Sequence, residues 1–479
     1  MRGLLGGVLA GYGLSNAGVV MMTPSLVLLW SICRYPLAAS IWGGFAVLIS
    51  HSWLLALHPL TWVGINAALS LPFTLIIWTA CAFLGGILVG FWAWFGKLIF
   101  GFVHKDGTLR IQFSYALVMA CLWGLAEVSL ARLPLFWIGL GSSLLPLDRP
   151  LAGLAQLFGA GGLATIQLLI SWWIWKIFIA MRSGRKLFKP LLIGFSLVAL
   201  LHLFGWSLLA GHKSSGSILV STWQPAIPTR KKFTMEQLRL LPNALQTALE
   251  DSADLGADLF VAPEGTLPYG KVLPLPAPLP SFIGGFRSVK GQQRSSLLVF
   301  EKGEQIASSA IDKYRLVPLG EWVPSWPGLN KIGLSAVGGL TPGAPSRLLD
   351  WKGPPVGVGI CYELSNGVSF SNAVSKGANW LLVVANLDPY PVSLHAQFNS
   401  LSQIRSIETA RDLLVVANNG PSTLVSPNGE QVQLVDPFKE GNGLAKVHLY
   451  DSNTFYSKWG ELPLYMFLVL GSFGIFFKG

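Results

Sequence analysis

The sequence predicts a polytopic α-helical membrane protein with a layered α/β domain held between its last two spans. Three observations carry that expectation. Of the 479 residues, 52% are hydrophobic and only 12% charged, whereas soluble domains carry about a quarter charged residues. Apolar runs long enough for a bilayer core of about 30 Å recur through residues 1–210 and once more near residue 479. Between residues 211 and 460, polar residues return and apolar runs shrink to strand length.

About eight spans are expected, at 3–19, 21–33, 37–57, 70–96, 111–131, 154–180, 190–210 and 461–477. The second is short and the first rich in glycine. No small-residue cleavage site of the signal-peptide kind follows the first, which is therefore expected to stay as an anchor. The 19 Trp suit a chain with long interfacial borders. A net charge of +11 could point to nucleic acid, but much of it clusters in short loops between apolar runs. There, positive charge sets topology. Arg2, Arg34, Lys97, Lys105, Arg110, Arg182, Arg185, Lys186, Lys189 and Lys478 all fall on one side if eight spans alternate. That side is expected to be the cytoplasm. The expected organisation is a seven-span helical domain over 1–210, an extracytoplasmic domain over 211–455 and a C-terminal transmembrane helix over 456–479. In a bacterium this places the middle domain on the periplasmic face of the cytoplasmic (inner) membrane.

Within the middle segment, strand patterns fall at 217–223, 257–262, 282–287, 295–300, 305–311, 355–360, 379–385, 413–417, 422–426 and 443–449. Three- and four-residue apolar spacing marks helices at 235–252 and 394–412, with a further candidate at 366–376. Strands interleaved with helices predict a layered α/β domain of roughly 250 residues, enough for one substantial core. The Pro-rich stretch 273–280 and the Pro/Gly-rich run 314–350 read as long loops. Tyr314, Leu316, Trp322, Trp326 and Leu329 make the second one apolar. It is suited either to touching lipid or to covering the domain core.

Three residues in this segment carry chemistry together. Glu264 ends the apolar run LFVAPEG, Lys313 lies in IDKYRLVPLGE, and Cys361 ends VGVGICYE. A carboxylate base, a fixed cation and a thiol nucleophile are the parts needed to make and break an acyl thioester. Cys33, Cys81 and Cys121 lie in apolar spans, so Cys361 has no disulfide partner in its domain. An unpaired thiol on an oxidising face is either reactive or buried and inert. Its place before a helix candidate is expected to favour thiolate. Singly, each residue is weak, since a Glu or Lys at a strand end usually faces water.

Other chemistries have less support. His395 and His448 are the histidines well inside the domain, and His395 opens a helix pattern where a structural role is the simpler reading. Metal and nucleotide signatures are absent, so neither metal nor cofactor is expected. A transporter would use charged groups in its spans. Glu127, Arg132 and the Asp148–Arg149 pair are the candidates, against a structural or interfacial reading. Asn418, Asn419 and Gly420 read as a strand-linked turn.

The stretches PEG around Glu264, DKYRLVPLGEWVP from Asp312, GVGICYE around Cys361 and RSIETARDLLVVANNGPSTLVSPNG from Arg405 resemble the nitrilase superfamily of Glu-Lys-Cys amidases and acyltransferases. With spans on both sides, the whole chain is similar to that superfamily's membrane-embedded branch, the apolipoprotein N-acyltransferases. The segment from Leu122 to Gly162 matches more loosely.

The resemblance implies an α-β-β-α sandwich inserted in the helical membrane domain. It also implies Glu264 as general base, Lys313 as oxyanion-stabilising cation and Cys361 as nucleophile. Glu321, Tyr362 and Glu363 match supporting positions. A phospholipid acyl donor and a diacylglyceryl-modified apolipoprotein acceptor are the implied partners, with no nucleic acid, and the chain is expected to act as a monomer. A membrane-anchored amidase that releases the acyl group to water would use the same triad. Three positions depart from the family: Ala262 and Phe233 stand where Trp is usual, and NLDPYPV over 386–392 replaces Asn-Asp-Ala-Trp-Phe-Gly.

Overall fold

The structure is a computed structural model that describes residues 1–102, 108–232, 234–318, 320–322 and 339–476. Its helical part comprises α1 (Arg2–Tyr12), α2 (Gly18–Ile32), α3 (Pro36–Ser50), α4 (Ala67–Phe102), α5 (Leu109–Leu130), a short α6 (Arg149–Ala152), α7 (Ala155–Arg182) and α8 (Phe188–Leu209). After the α/β domain come α12 (Phe455–Trp459) and α13 (Leu462–Phe476). By length and hydropathy, α4, α5, α7 and α8 can cross a membrane, whereas α2, α3 and α13 are shorter apolar helices.

Of the eight expected spans, four coincide with helices of crossing length among the described residues, and the others fall on shorter or broken helices. The run 3–19 is an 11-residue helix followed by a π-helical turn over Gly13–Ala17. The chain then breaks at Gly18, whose φ is +54°. The run 37–57 stays α-helical only to Ser50 and continues as 3₁₀ turns over Ser52–Leu57. Of the charges used for orientation, Lys105 and Lys478 lie outside the described residues.

Apolar side chains point outward as well as inward. Phe195, Leu197, Leu200, Leu203 and Phe204 on α8 are each more than half exposed, as are Phe83 and Phe91 on α4. A continuous apolar outer surface of this extent fits lipid and not water, and marks a membrane protein. Inside, small residues let backbones meet. A Cβ on Gly43 of α3 would sit 2.5 Å from the Gly85 carbonyl of α4, the close approach that holds helices together without a hydrophobic driving force. Buried indoles find partners there: Trp30 donates to the Leu168 carbonyl at 2.8 Å and Trp92 to that of Met119 at 3.0 Å.

The α/β domain follows as β1 (Gly216–Gln224), α9 (Met235–Asp254), β2 (Leu259–Leu267), β3 (Ser281–Val289), β4 (Gln292–Phe300), β5 (Ser309–Asp312), β6 (Leu348–Leu349), β7 (Val356–Ile360), α10 (Gly367–Ser375), β8 (Trp380–Ala385), α11 (Val392–Thr409), β9 (Leu413–Ala417), β10 (Ser422–Val425), β11 (Gln431–Val435) and β12 (Gly441–Leu449). The chain ends with α12 (Phe455–Trp459) and α13 (Leu462–Phe476). Strands pair into two six-stranded sheets, ordered β12-β1-β2-β3-β4-β5 and β11-β10-β9-β8-β7-β6. Pairing is parallel where helices or long connections intervene, in β1-β2-β3 and β7-β8-β9.

Val220, Val261 and Phe282 of one sheet face Val358, Leu382 and Val416 of the other in a shared core. The outer face of the first sheet packs Phe260 and Ile283 against Leu241 and Leu245 of α9. That of the second packs Val383 and Val415 against Phe370 of α10 and Phe398 of α11. The layers are therefore α-β-β-α. Alternate residues of these buried strands serve two different cores, which is why their sequences read as unbroken apolar runs. Two strands were not anticipated. β6 has only two residues, and β11 lies at a sheet edge with all but its last residue at least partly exposed, too short and too polar to stand out.

Candidate active site

Lys313 and Cys361 directly follow the ends of β5 and β7, Glu264 lies in the irregular last part of β2, and each stretch is shaped to present its side chain. In β2, Ala262 pairs with Ile283 but Leu267 pairs with Gly285, so residues 263–266 bulge from the ladder. Gly265 supplies the φ of +67° that this bulge requires. Lys313 follows the last residue of β5. Cys361 follows β7 and opens the 3₁₀ turn Cys361–Ser365, with φ at +52°. A non-glycine residue in that region stores about 1–3 kcal/mol of strain. The sharp turn lifts the side chain clear of the sheet, as at a nucleophile elbow.

A buried charge cluster joins these ends. Lys313, 1% exposed, donates from Nζ to Glu264 Oε1 at 2.8 Å and to Glu321 Oε1 at 2.7 Å. The Asn386 main-chain N–H donates to Glu264 Oε2 at 3.2 Å, and the Val317 N–H donates to Glu321 Oε2 at 2.8 Å. Burial alone would lower the Lys313 amine, yet Glu264 and Glu321 hold it well above the ordinary lysine range. Burial and the like charge of Glu264 push the Glu321 carboxyl up, against the pull of Lys313.

The Cys361 thiol is pushed up by burial and by Glu264, with Lys313 and the Asn386 N–H opposing. This corrects the expectation of a stabilised thiolate. The helix proper begins only at Gly367, so its N-terminal charge is not applied at the sulfur, while a carboxylate is. Cys361 is therefore held as a thiol, with Glu264 among the groups that keep its proton in place. Alkylation of Cys361 by iodoacetamide, followed by peptide mass, is expected to keep rising with pH beyond 9. An unperturbed thiol levels off above its value of about 8.5, so a plateau below pH 8 would contradict the buried-thiol reading.

Glu363, also buried, ties the nucleophile turn to the lysine. Its Oε1 accepts the N–H groups of Tyr314 at 2.7 Å and Arg315 at 3.0 Å, and its Oε2 accepts that of Ile360 at 2.8 Å. Arg347 pairs with it at 2.9 Å and donates to the Asp312 carbonyl at 2.7 Å. One carboxylate thus fixes the residues on both sides of the lysine–cysteine gap.

Tyr362 faces the helical part. Its hydroxyl is within 2.5 and 2.6 Å of the Pro134 and Phe136 carbonyls, and its ring stacks on Trp137 at 5.7 Å. Arg315 also lies over that ring, 4.1 Å from its centroid. It donates to the carbonyls of Leu133 and Phe136. Gln397 of α11 completes the seam, accepting from Trp137 Nε1 and donating to the Ser50 carbonyl, each at 2.7 Å. The loop after α5 and the end of α3 are therefore built against the candidate site.

Several site residues escape the sequence reading. Lys232 is buried beside Glu264, although TRKKF reads as a solvated basic run. Tyr390, inside the divergent NLDPYPV stretch, meets Trp53 edge-on at 5.3 Å. Burial pushes its hydroxyl up. Asn418 does more than turn the chain: it is fully buried and donates to the Ile227 carbonyl at 2.7 Å and to Asn386 Oδ1 at 3.0 Å. Asn419 donates to Asp388 Oδ1 at 3.1 Å. Of the departures, Ala262 is buried in the core under α9, and Phe233 lies outside the described residues. So do Trp326 and Leu329 of the 314–350 loop, whose Leu316 is buried and Trp322 exposed.

The remaining candidates stand apart from this cluster. His395 is buried against Phe438, and His448 pairs with Asp412 at 3.2 Å. Glu127 accepts from Trp123 Nε1 at 2.9 Å and from the Leu140 N–H at 2.8 Å, a structural contact. Asp148 caps α6 and pairs with His202 at 3.1 Å. Among the described residues, no group of three or more His, Cys, Asp and Glu side chains could hold a metal ion.

No protein-family model matches the chain. It is 57% identical over 474 residues to the apolipoprotein N-acyltransferase of Prochlorococcus marinus (strain MIT 9313), covering 98% of this chain and 95% of that one. It is 46% identical to that of Parasynechococcus marenigrum (strain WH8102), covering 96% of each. Among solved structures, yeast (Saccharomyces cerevisiae) Nit3, a member of branch 10 of the nitrilase superfamily, is 16% identical with a TM-score of 0.37. It aligns over 52% of this chain and 96% of its own. At 57% identity along almost its whole length, the chain belongs to the apolipoprotein N-acyltransferase family.

Proposed function

We propose that this membrane protein moves a fatty acyl chain from a phospholipid, through a thioester on Cys361, to the α-amine of the N-terminal diacylglyceryl-cysteine of apolipoproteins. The observation that carries the reading is the buried Lys313 bridging Glu264 and Glu321 beside a strained, protonated Cys361. In the first half-reaction Glu264 takes the thiol proton while the sulfur attacks the ester carbonyl. Lys313 and a main-chain N–H at the nucleophile turn hold the tetrahedral oxyanion. The C–O bond breaks, Glu264 returns the proton to the departing lysophospholipid, and the thioester remains. In the second, the acceptor amine attacks that thioester, Glu264 takes its proton, and the C–S bond breaks to release the amide. The proton then returns to Cys361. Donor and acceptor use one site in turn, so the kinetics are ping-pong.

The basic loops between the apolar runs support a catalytic domain on the opposite, periplasmic face of a bacterial cytoplasmic membrane. Intact-mass analysis after incubation with phospholipid tests the whole reading. The expected result is a fatty-acyl adduct on Cys361, absent in Cys361→Ser and discharged by a diacylated lipopeptide to give N-acylated product. Free fatty acid with unmodified lipopeptide would instead identify a hydrolase. Glu264→Gln is expected to slow adduct formation and discharge alike, by roughly 100- to 10,000-fold, the usual contribution of a general base.

A further inference from the structure

A second buried amine stands on the other side of the candidate base. Lys232 lies in the loop between β1 and α9 and is 5% exposed. Its Nζ donates to the main-chain carbonyl of Glu264 at 2.9 Å. It sits directly under the bulge, since a Cβ on Gly265 would come within 3.2 Å of the same nitrogen. The loop that carries it is built for the purpose. Asp388 accepts the Thr229 N–H at 2.7 Å and Asn386 donates to Thr229 Oγ1 at 3.0 Å. Asn418 binds both Ile227 and Asn386.

We propose that Lys232 is a positioning residue for the acyl transfer: its ammonium fixes the Glu264–Gly265 peptide and supplies a second positive charge that keeps the Glu264 carboxylate ready to accept a proton. The proposal rests on Glu264 acting as the base. Lys313 is bound to both Glu264 and Glu321, so one cation serves two buried carboxylates. A single ammonium against two carboxylates leaves the cluster net negative in a site that must also generate a thiolate. Lys232 balances it from the backbone side, where it does not obstruct an incoming ester or amine.

The charged groups that face Lys232 are Glu264 from β2 and Asp388 from the loop after β8. Beyond Glu264 stand Lys313, Glu321, Cys361 and Tyr390. Burial lowers the Lys232 amine to about 8, with Glu264 and Asp388 opposing. The charge is therefore present below pH 8 and lost above it, which gives the role a signature that a packing role lacks.

The test is the rate of acyl-adduct formation on Cys361 in full-length protein with phosphatidylethanolamine mixed micelles, measured by intact mass from pH 6 to 10. Wild type is expected to exceed Lys232→Gln by about tenfold below pH 8, the ratio falling toward one above pH 9. A ratio that does not change with pH, or equals one throughout, overturns the proposal. If Lys232→Gln does not fold, Asp388→Asn serves: removing that carboxylate moves the alkaline fall of the rate to lower pH, and an unmoved fall overturns the proposal. If wild type forms no adduct at any pH, the thioester reading fails and this inference fails with it. An adduct with a constant ratio sinks Lys232 alone.

Discussion

Replacing Lys313 by methionine is expected to lower turnover by roughly 100- to 1,000-fold, the usual loss when one oxyanion donor is removed. In the same variant it should remove about 3–5 kcal/mol of stability, because Lys313 pairs with two buried carboxylates and its loss leaves both without it. The two losses have different pH dependence. The Glu321 carboxyl is pushed up even with Lys313 present. A carboxyl whose folded-state value lies above its unfolded one favours the fold at low pH, and that contribution is lost as the pH rises through the folded value. Without the ammonium, the tendency strengthens. The Tm deficit of Lys313→Met against wild type is therefore largest near pH 8 and shrinks toward pH 5, while turnover stays low throughout. Thermal melts of both proteins across that range measure it. A deficit that grows on acidification would mean that another cation has taken over the site.

The placement of Cys361 after a strand, and of Glu264 where the β2 ladder turns irregular, is legible in the sequence because a strand buried on both faces is an apolar run. The polar residue that ends such a run marks the sheet edge. LFVA before Pro263 and VGVGI before Cys361 are of that kind: the regular ladder of β2 breaks after Ala262, and β7 stops at Ile360. The protonation state of Cys361 is not legible. It depends on burial and on a carboxylate far along the chain, against which a local helix-terminus argument has little weight. Lys232 fails for the same reason: basic runs are mostly solvated, and its burial goes with a bond to the distant Glu264 carbonyl that no local pattern encodes. In the membrane part, hydropathy finds α4, α5, α7 and α8 because each is long and uninterrupted. Over 3–19 and 37–57 it does not register the backbone break at Gly18 or the change of helix type after Ser50, because an average over side chains carries no backbone geometry. The seam between Tyr362 and Pro134–Trp137 is invisible for a related reason: aromatic and proline residues in a short loop look like an ordinary membrane border.

Glu363→Gln separates what holds the site together from what reacts. The carboxylate accepts from the N–H groups of Tyr314, Arg315 and Ile360 and pairs with a buried Arg347. An amide can accept only on its oxygen and turns its NH₂ donors toward one of these donors. The variant is expected to lose about 3–5 kcal/mol of stability through the unpaired guanidinium, and turnover by at least tenfold through loosening of the Lys313–Cys361 geometry. Adding Arg347→Met removes the stranded charge, and a buried ion pair replaced by packed neutral groups is often nearly neutral in stability. The double variant should therefore recover most of the lost Tm. Turnover should stay low, because the main-chain donors at Tyr314 and Ile360 still lack their common acceptor. Recovery of both together would mean that Glu363 does no more than neutralise Arg347. Recovery of neither would show that the guanidinium's bond to the Asp312 carbonyl, which sets the residue just before Lys313, is itself needed to hold the ammonium in place.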